Sequence, residues 1–218
     1  MKYYLFFSGG YDSTAVLLKY CSYGSESNPI NVITCSHTNL DENKMIMERR
    51  SINKILNHLR KKYFINEIKL ELKSDSDIVN NYGFVQLTWW LGFAIQYIQD
   101  DSTLCIGLIR NGTAWASKER LENIFNETCS LMAKKDCNLL FPLYWMEKVD
   151  VLNYIEKTDS KILDMVWTCE APVKENRIIK PCGKCDKCVE ISVARYKQKL
   201  LKKLKKKDDR EPLWSKNY

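Results

Sequence analysis

The sequence predicts an α/β protein with a doubly wound, mostly parallel sheet, followed by a small C-terminal subdomain that binds a metal. Short apolar runs with strand character alternate with longer helical segments as far as residue 140. The first of these runs leads through Gly9-Gly10 directly into a helical segment. Four closely spaced cysteines lie near the C-terminus. We therefore expect a sheet domain at 1–140 and a subdomain at 141–218.

Strands are expected where a short run is apolar or β-branched, and helices where apolar residues recur every three or four positions. The predicted strands are 3–7, 30–35, 67–72 and 102–108, and the predicted helices are 14–20, 41–62, 84–99 and 117–134. Asp41 or Asn39 is expected to cap the second helix. In such parallel sheets, ligands bind beyond the carboxyl ends of the strands, which is where Gly9-Gly10 lies.

Beyond residue 140 the elements become shorter. Phe141-Pro142-Leu143 is expected to be strand-like, with short helices at 147–157 and 161–166 and a basic terminal helix after the cysteines. Residues 195–210 hold nine Lys or Arg against two Asp, which accounts for the whole net charge of +7. Only this tail is therefore a candidate for binding nucleic acid, and a solvated helix face is the alternative.

Length and composition favour a soluble, cytoplasmic protein. A chain of 218 residues fits one domain with a small appendage. The sequence shows no charged and apolar leader with a cleavage site. Its longest apolar stretch, residues 84–98, is shorter than the roughly 20 residues that a membrane-spanning helix needs. We expect neither secretion nor a membrane partner.

The loop Ser8-Gly9-Gly10-Tyr11-Asp12-Ser13 predicts a phosphate site. A strand that passes through a short loop into a helix exposes backbone N–H groups at the positive end of that helix, where an anion is favoured. The sequence contains neither G-x-x-x-x-G-K-[ST] nor G-x-G-x-x-G. The loop has no cation of its own, and the Asp12 carboxylate indicates that a divalent metal accompanies a nucleotide. The alternative is a tight turn in which Asp12 or Ser13 caps the helix.

Four cysteines follow the spacing C-x12-C-x2-C-x2-C, namely Cys169, Cys182, Cys185 and Cys188. Two-residue gaps let neighbouring thiolates converge on one ion, and the longer loop returns the remaining ligand. Disulfides are the competing interpretation, although they suit secreted chains better. We expect a closed Zn(Cys)4 site, which is structural because it leaves no open position for a substrate. A redox or persulfide role is a further alternative.

The other cysteines and the two histidines give weaker signals. His37 follows the second strand, beside Ser36, and is a candidate for contact with adenosine. His58 lies within a polar helix and is expected to be solvated. The remaining cysteines are expected to be small buried hydrophobes, namely Cys21, Cys35, Cys105, Cys129 and Cys137.

The loop Ser8–Ser13 resembles the pyrophosphatase loop of the N-type ATP pyrophosphatases, the PP-loop superfamily with an adenine nucleotide alpha hydrolase-like fold. That superfamily cleaves ATP between its α- and β-phosphates to adenylate a substrate. Together with the cysteine knuckle, the loop resembles the 7-cyano-7-deazaguanine synthase (QueC) family. The further matching landmarks are Phe141-Pro142-Leu143 with Lys148 soon after, Thr168-Cys169 and Cys182-Gly183-x-Cys185-x-x-Cys188.

The resemblance implies a ligase that uses ATP, Mg²⁺ and ammonia to convert 7-carboxy-7-deazaguanine into the nitrile of queuosine biosynthesis, with structural Zn²⁺ in the knuckle. Asp12, Ser13 and Lys148 would be catalytic, although a solvated or ion-paired lysine is equally consistent with the sequence. Ser36 and His37 would belong to the nucleotide site. The pyrophosphate portion of ATP and its Mg²⁺ would be held by Ser8, Gly9, Gly10, Asp12 and Ser13.

The chain departs from the family in two segments on the acceptor side. The family carries Pro-Gly-Arg-Asn at the start of the helix that corresponds to Phe84–Trp90, where this chain has neither the arginine nor the asparagine. A Gly-Tyr-Pro-Asp stretch is replaced by Leu108–Ala116. This pattern indicates a relative with a different acceptor. The candidates for the acceptor pocket, or alternatively core aromatics and polar loop residues, are Gln86, Trp89, Arg110, Asn111 and Trp115.

Three hypotheses about function remain open from the sequence. The first is an adenylating enzyme that acts on deazaguanine, on another carboxylate or on a protein acceptor, since related proteins also occur in phages and bacterial defence systems. The second is ATP-dependent tRNA thiolation, which needs a catalytic cysteine pair outside the zinc set. The third is a nucleotide-binding module without catalysis. A homodimer is compatible with each.

Overall fold

The computed structural model describes residues 1–37, 41–72, 86–112 and 114–208. Its main sheet has five strands in the order β3-β2-β1-β4-β5, and each neighbouring pair is parallel. The order reverses direction at β1, so the predicted doubly wound sheet is confirmed. The strands are β1 (Lys2–Phe6), β2 (Ile30–His37), β3 (Ile65–Leu72), β4 (Ser102–Cys105) and β5 (Asn138–Leu140).

Helices cover both faces of the sheet. Alternate residues of β1 point to opposite sides, so Leu5 joins one buried cluster while Tyr4 and Phe6 join the other. The Leu5 side holds α1, α2, α5 and α6, and the opposite side holds α3 and α4. These helices are α1 (Tyr11–Tyr20), α2 (Glu42–Leu59), α3 (Gln86–Tyr97), α4 (Lys118–Leu131), α5 (Lys148–Asp159) and α6 (Asp186–Asp208).

Two boundaries differ from the sequence prediction in ways that matter for function. Helix α1 begins at Tyr11 rather than at residue 14, because extended Gly10 precedes it as N-cap. Asp12 therefore lies in the first helical turn. The strand predicted at 141–143 is wrong, since β5 ends at Leu140 and turns follow. Pro142 has no N–H to donate to a neighbouring strand, which disfavours a continuation of β5 there.

Asp41 caps α2 as predicted, since its Oδ1 accepts a 2.9 Å hydrogen bond from the backbone N–H of Lys44. The alternative cap, Asn39, lies outside the described residues, as do the first positions of the helix predicted at 84–99.

The C-terminal segment consists of α5, a 3-10 turn at Ser160–Asp164, a two-stranded hairpin and α6. The hairpin strands are β6 (Val173–Glu175) and β7 (Ile178–Lys180). Apolar side chains of α5 and α6 join the same buried cluster as those of α1 and α2. The predicted division after residue 140 stays a prediction, and residues on both sides of it build this cluster. Within the described part of the chain, no helix is long and apolar enough to cross a membrane.

One histidine was predicted to be solvated, and that prediction is wrong. The Nε2 atom of His58 lies 2.7 Å from Oδ2 of Asp159, and both side chains are largely buried. The contact joins the last turn of α2 to the last residue of α5. Residue 159 is far away in sequence, so the helical pattern around His58 carried no signal of this partner.

We expect Asp159→Asn to lower the free energy of unfolding at neutral pH by about 1 kcal/mol, the net value of one hydrogen bond. Burial raises the pKa of Asp159, but His58, the backbone N–H of Lys161 and the charge of Lys62 together outweigh it, so the folded pKa lies below 3.8. A carboxylate with a lowered pKa stabilises the fold above its unfolded pKa, and this contribution disappears as the pH falls through the folded value.

Urea unfolding at neutral pH and well below pH 3.8 measures this difference. The difference in the free energy of unfolding between wild type and Asp159→Asn should disappear at acid pH. The exposed control Asp164→Asn should have the stability of wild type at both pH values. An equal gap at the two pH values would show that the Asp159 carboxylate does not act through its charge.

Candidate functional site

The carboxyl ends of β1, β2 and β4 open into a cavity of about 1130 Å³. The phosphate loop predicted from the sequence forms part of its wall, through Ser8, Gly10, Asp12 and Ser13. Further wall residues come from α2, from the start of α3, from α5 and from the segment around Cys169. The cavity therefore lies where a parallel sheet that reverses its strand order normally binds a ligand.

The loop itself is held by hydrogen bonds between its two serines. Oγ of Ser8 and Oγ of Ser13 are 3.2 Å apart, and Oγ of Ser13 accepts a 3.3 Å hydrogen bond from the Ser8 N–H. The Ser13 hydroxyl also lies 3.2 Å from the carbonyl oxygen of Gly10, to which it can donate. Gly9 has φ +75°, a conformation that favours glycine. This arrangement fixes the loop at the N-terminus of α1.

A buried serine of α2 supports the loop from behind. The Ser51 hydroxyl donates a 2.8 Å hydrogen bond to the carbonyl oxygen of Gly9 and accepts a 3.1 Å hydrogen bond from the Trp167 N–H. The same N–H lies 3.2 Å from the Gly9 carbonyl oxygen. A Cβ atom at Gly9 would lie 2.9 Å from Oγ of Ser51, so a larger residue does not fit. We call Gly9, Ser51 and Trp167 the loop junction.

Gly107, two residues after the end of β4, lets the sheet approach the first turn of α1. A Cβ atom at Gly107 would lie 3.0 Å from the carbonyl carbon of Asp12 and 3.2 Å from the backbone nitrogen of Ser13. The glycine that ends a buried strand was visible in the sequence, but its partner in α1 was not. This close approach keeps the loop and β4 in one wall of the cavity.

Lys148 forms a largely buried ion pair within the site. Its Nζ atom lies 2.7 Å from both carboxylate oxygens of Asp12 and 3.5 Å from Oε1 of Glu190. The Lys148 side chain is 9% exposed, so its charge is largely desolvated. Burial raises the pKa of the Asp12 carboxyl, and the Lys148 ammonium opposes that rise. The contact joins the first turns of α1 and α5.

The four cysteines of the knuckle converge, as the spacing predicted. Their Sγ atoms all lie within 4.8 Å of one another. The β6–β7 hairpin returns the chain between Cys169 and Cys182 through a turn in which Asn176 and Arg177 both have positive φ, as in a type I′ turn. Hydrogen bonds from the backbone N–H groups of Lys184 and Cys185 lower the pKa of the Cys182 thiol, which favours the thiolate that a metal binds.

The knuckle also contributes to the cavity wall. Thr168 and Glu170 flank Cys169, Lys187 precedes Cys188, and all three line the cavity. Glu170 pairs with Lys44 of α2. The four cysteines of the knuckle therefore lie directly behind the wall that faces the phosphate loop, which the sequence did not indicate.

The other predicted site residues stand as follows. Ser36 and His37 end β2, and Gln86 and Trp89 lie in α3, but their side chains are outside the described part of the structure. Among the described residues, the cavity wall includes Leu87, Trp90, Leu108, Ala114 and Ser117. It does not include Arg110, Asn111 or Trp115, whose indole N–H donates to the Tyr144 carbonyl oxygen at 3.2 Å. Their assignment to an acceptor pocket stays a prediction.

Three of the remaining cysteines, Cys21, Cys105 and Cys129, are buried as expected. Cys35 and Cys137 are half-buried, and Cys35 lines the cavity. Burial raises the pKa of the Cys35 and Cys105 thiols to about 12. A thiol with so high a pKa remains protonated at neutral pH and is a weak nucleophile.

Comparison with known proteins supports the fold. No protein-family model matches the chain, and no curated protein matches it either. Among solved structures it is similar to the U34-tRNA thiolase NcsA from Methanococcus maripaludis with its [4Fe-4S] cluster, at 16% identity and a TM-score of 0.51, over 93% of this chain and 67% of NcsA. An NMN synthetase from Francisella tularensis aligns at 15% identity and a TM-score of 0.45, over 75% of this chain and 64% of that one. The likeness to NcsA shows a shared fold.

We expect Ser51→Ala to destabilise the protein by about 1–3 kcal/mol, because it leaves a buried carbonyl and N–H of the loop junction with poorer partners. Chemical unfolding measures the change, and Ser130→Ala on the exposed surface of α4 is the matched control. Equal stability of the two variants would mean that the Ser51 hydroxyl does not hold the loop.

Proposed function

We propose that the protein is an ATP-dependent adenylating enzyme that activates a carboxylate by transferring AMP to it. The observation that carries this proposal is the pairing of Lys148 with Asp12 in the first turn of α1, within a cavity at the carboxyl end of the sheet. The first N–H groups of a helix have no partner within the helix. A buried lysine beside backbone donors suits a polyphosphate better than a neutral ligand. The fold shared with NcsA is consistent with this class of chemistry.

The proposed reaction begins with attack of an acceptor carboxylate oxygen on the α-phosphate of ATP. The bond from the α-phosphorus to the bridging oxygen breaks, and pyrophosphate leaves. The N–H groups in the first turn of α1 and the hydroxyls of Ser8 and Ser13 bind the departing phosphates. The Gly10 N–H, which lies 3.4 Å from Oγ of Ser8, exchanges that partner for a phosphate oxygen. Lys148 neutralises charge that develops on them, since a donor fixed before the reaction needs no reorganisation during it.

The residues present fit a magnesium ion that arrives with the nucleotide. Mg²⁺ is commonly held by one or two carboxylates together with substrate phosphates. Asp12 is the carboxylate of the loop, and it becomes available as a ligand when a phosphate replaces it at Lys148. The ion would supply additional positive charge at the phosphates.

We propose 7-carboxy-7-deazaguanine as the first acceptor to test. Ammonia displaces AMP from the acyl-adenylate to give the amide, and a second adenylation of the amide oxygen allows loss of AMP and a proton to give the nitrile. A cavity of about 1130 Å³ exceeds the range of roughly 300–1,000 Å³ usual for ligand pockets. The apolar wall formed by Leu87, Trp90 and Leu108 suits a planar ring.

The experiment is an assay of the purified chain with ATP, Mg²⁺, ammonia and 7-carboxy-7-deazaguanine. We expect AMP and pyrophosphate in equal amounts, together with the nitrile. AMP that appears only with another carboxylate would reject deazaguanine and retain adenylation. ATP binding without AMP release from any acceptor would reject the enzyme and leave a nucleotide-binding module.

Lys148→Met should reduce AMP formation by about 100-fold or more, as expected for loss of a preorganised donor. The control is Lys157→Met, an exposed position at the far end of the same helix. Because Lys148→Met leaves Asp12 without its partner, a melting curve must show that the variant is folded. Lys148→Arg should then recover part of the activity, and full activity of a folded Lys148→Met would exclude the proposed role.

We further propose that the knuckle holds one Zn²⁺. Four thiolates around an ion at a Zn–S distance of about 2.3 Å are about 3.8 Å apart, close to the separations found among these four Sγ atoms. A four-iron cluster carries one thiolate on each iron, outside the cluster core, and needs wider spacing. The compact sulfur set therefore supports a single ion, unlike the [4Fe-4S] cluster named for NcsA.

Metal analysis should find one zinc per wild-type chain and none in Cys182→Ser, whereas Cys137→Ser should keep its zinc. Limited proteolysis should cleave Cys182→Ser between β6 and α6 faster than wild type, because the metal holds that segment together. Iron with a visible cluster absorption, or full metal content in Cys182→Ser, would contradict the assignment.

A second candidate function is sulfur transfer to a nucleic acid, which the Cys35 thiol in the cavity wall favours. The fold likeness to a tRNA thiolase and the basic half of α6 agree with it. The raised pKa of Cys35 is the opposing observation. Cys35→Ala separates the two functions, since carboxylate adenylation should survive it and thiolation through Cys35 should not.

A further inference from the structure

The cavity contains more positive charge than the loop itself provides. The lysines of its wall already have carboxylate partners in the structure. Lys44 pairs with Glu48 and Glu170. Lys148 pairs with Asp12 and Glu190, and Lys187 lies 3.6 Å from Glu190. These contacts neutralise the lysine charges before any ligand arrives.

Arg49 of α2 is different. It lines the cavity and is half-buried, yet it has no hydrogen bond or ion pair with any other part of the chain that the structure describes. The neighbouring Arg50 also lines the cavity, but it is exposed and therefore better hydrated, and its guanidinium lies 3.9 Å from the sulfur of Met47. A half-buried guanidinium without a counter-ion has lost part of its hydration and gains from an anionic ligand.

The position of Arg49 on α2 places it near the phosphate loop. Met45, Arg49 and Ile52 follow the spacing of one helix face, and all three line the cavity. At this face α2 touches the loop, because a Cβ atom at Gly9 would lie 3.1 Å from both Cγ1 and the backbone nitrogen of Ile52. Arg49 is therefore about 4.5 Å along the helix axis from this contact, a distance that an arginine side chain spans.

We propose that Arg49 binds the pyrophosphate portion of ATP and retains it as it leaves. This inference rests on the proposed function and adds to it a cation that the loop lacks. A guanidinium donates two parallel hydrogen bonds to phosphate oxygens, a geometry that lysine does not provide. Arg49 lies on the face of α2 that touches the loop at Gly9, away from the apolar wall of α3. We therefore assign its ligand as the phosphate chain and not the acceptor ring.

Calorimetric titration of the full chain with inorganic pyrophosphate and with AMP, each in the presence of Mg²⁺, tests the assignment. Arg49→Gln should weaken pyrophosphate binding about tenfold or more, as expected for a lost charge-assisted contact, and leave AMP binding within about twofold of wild type. Arg49→Lys should recover part of the loss because it keeps the charge. Arg50→Gln is the matched control: Arg50 also lines the cavity, but it is exposed, so its loss should change neither affinity by more than about twofold.

The possible outcomes separate this inference from the proposed function. A wild-type chain that binds neither pyrophosphate nor ATP overturns both. If wild type binds pyrophosphate and a folded Arg49→Gln binds it equally well, only the role of Arg49 is rejected. Equal weakening of pyrophosphate binding by Arg49→Gln and Arg50→Gln would indicate a general effect of positive charge. A parallel loss of AMP binding in Arg49→Gln would place Arg49 at the nucleoside end of the ligand. Either result rejects the pyrophosphate assignment.

Discussion

The Ser51 hydroxyl is the contact on which the site depends most. It joins three segments that are far apart in sequence: the phosphate loop at Gly9, helix α2, and the chain at Trp167 just before Cys169. One oxygen donates to a carbonyl and accepts from an N–H, so both groups are satisfied within a buried space too small for a Cβ atom at Gly9. One side of the loop is therefore closed against α2, while Ser8, Gly10, Asp12 and Ser13 line the cavity.

Two sets of contacts connect the four cysteines of the knuckle to the phosphate loop. One connection runs from Cys169 through Trp167 to the loop junction. The other runs along α6, where Glu190 lies 3.5 Å from Lys148, which in turn holds Asp12. The knuckle has few apolar side chains of its own, so the proposed metal would stabilise a segment that lacks a core of its own. Loss of the metal would then disturb the cavity wall as well as the knuckle.

The sequence predicted the parts of the site that are local and missed those that are not. The loop and the cysteine knuckle were found because their residues are neighbours in the chain, and their spacing alone restricts the geometry. Ser51, Gly107 and the partner of His58 act through contacts between segments that only the folded sheet brings together. Arg49 was missed for the same reason, since one arginine in a polar helical stretch normally faces solvent. The strand predicted at 141–143 failed because its apolar residues are buried in turns.

Outside residues 195–210 the protein carries no net charge. The charge distribution of the cavity explains how it would nevertheless bind the highly anionic ligand of the proposed reaction. In the structure described here each lysine of the wall is matched by a carboxylate, so the buried ammonium groups are paired and the fold tolerates them. In the proposed reaction, a phosphate chain would compete with Asp12 for Lys148, and the displaced carboxylate would then be free for the accompanying cation. Exchange of partners at Lys148, added to the unpaired charge of Arg49, would accommodate the nucleotide. A wall of unpaired lysines would bind phosphate without this exchange but would carry several buried charges in the empty protein, which is the more costly arrangement.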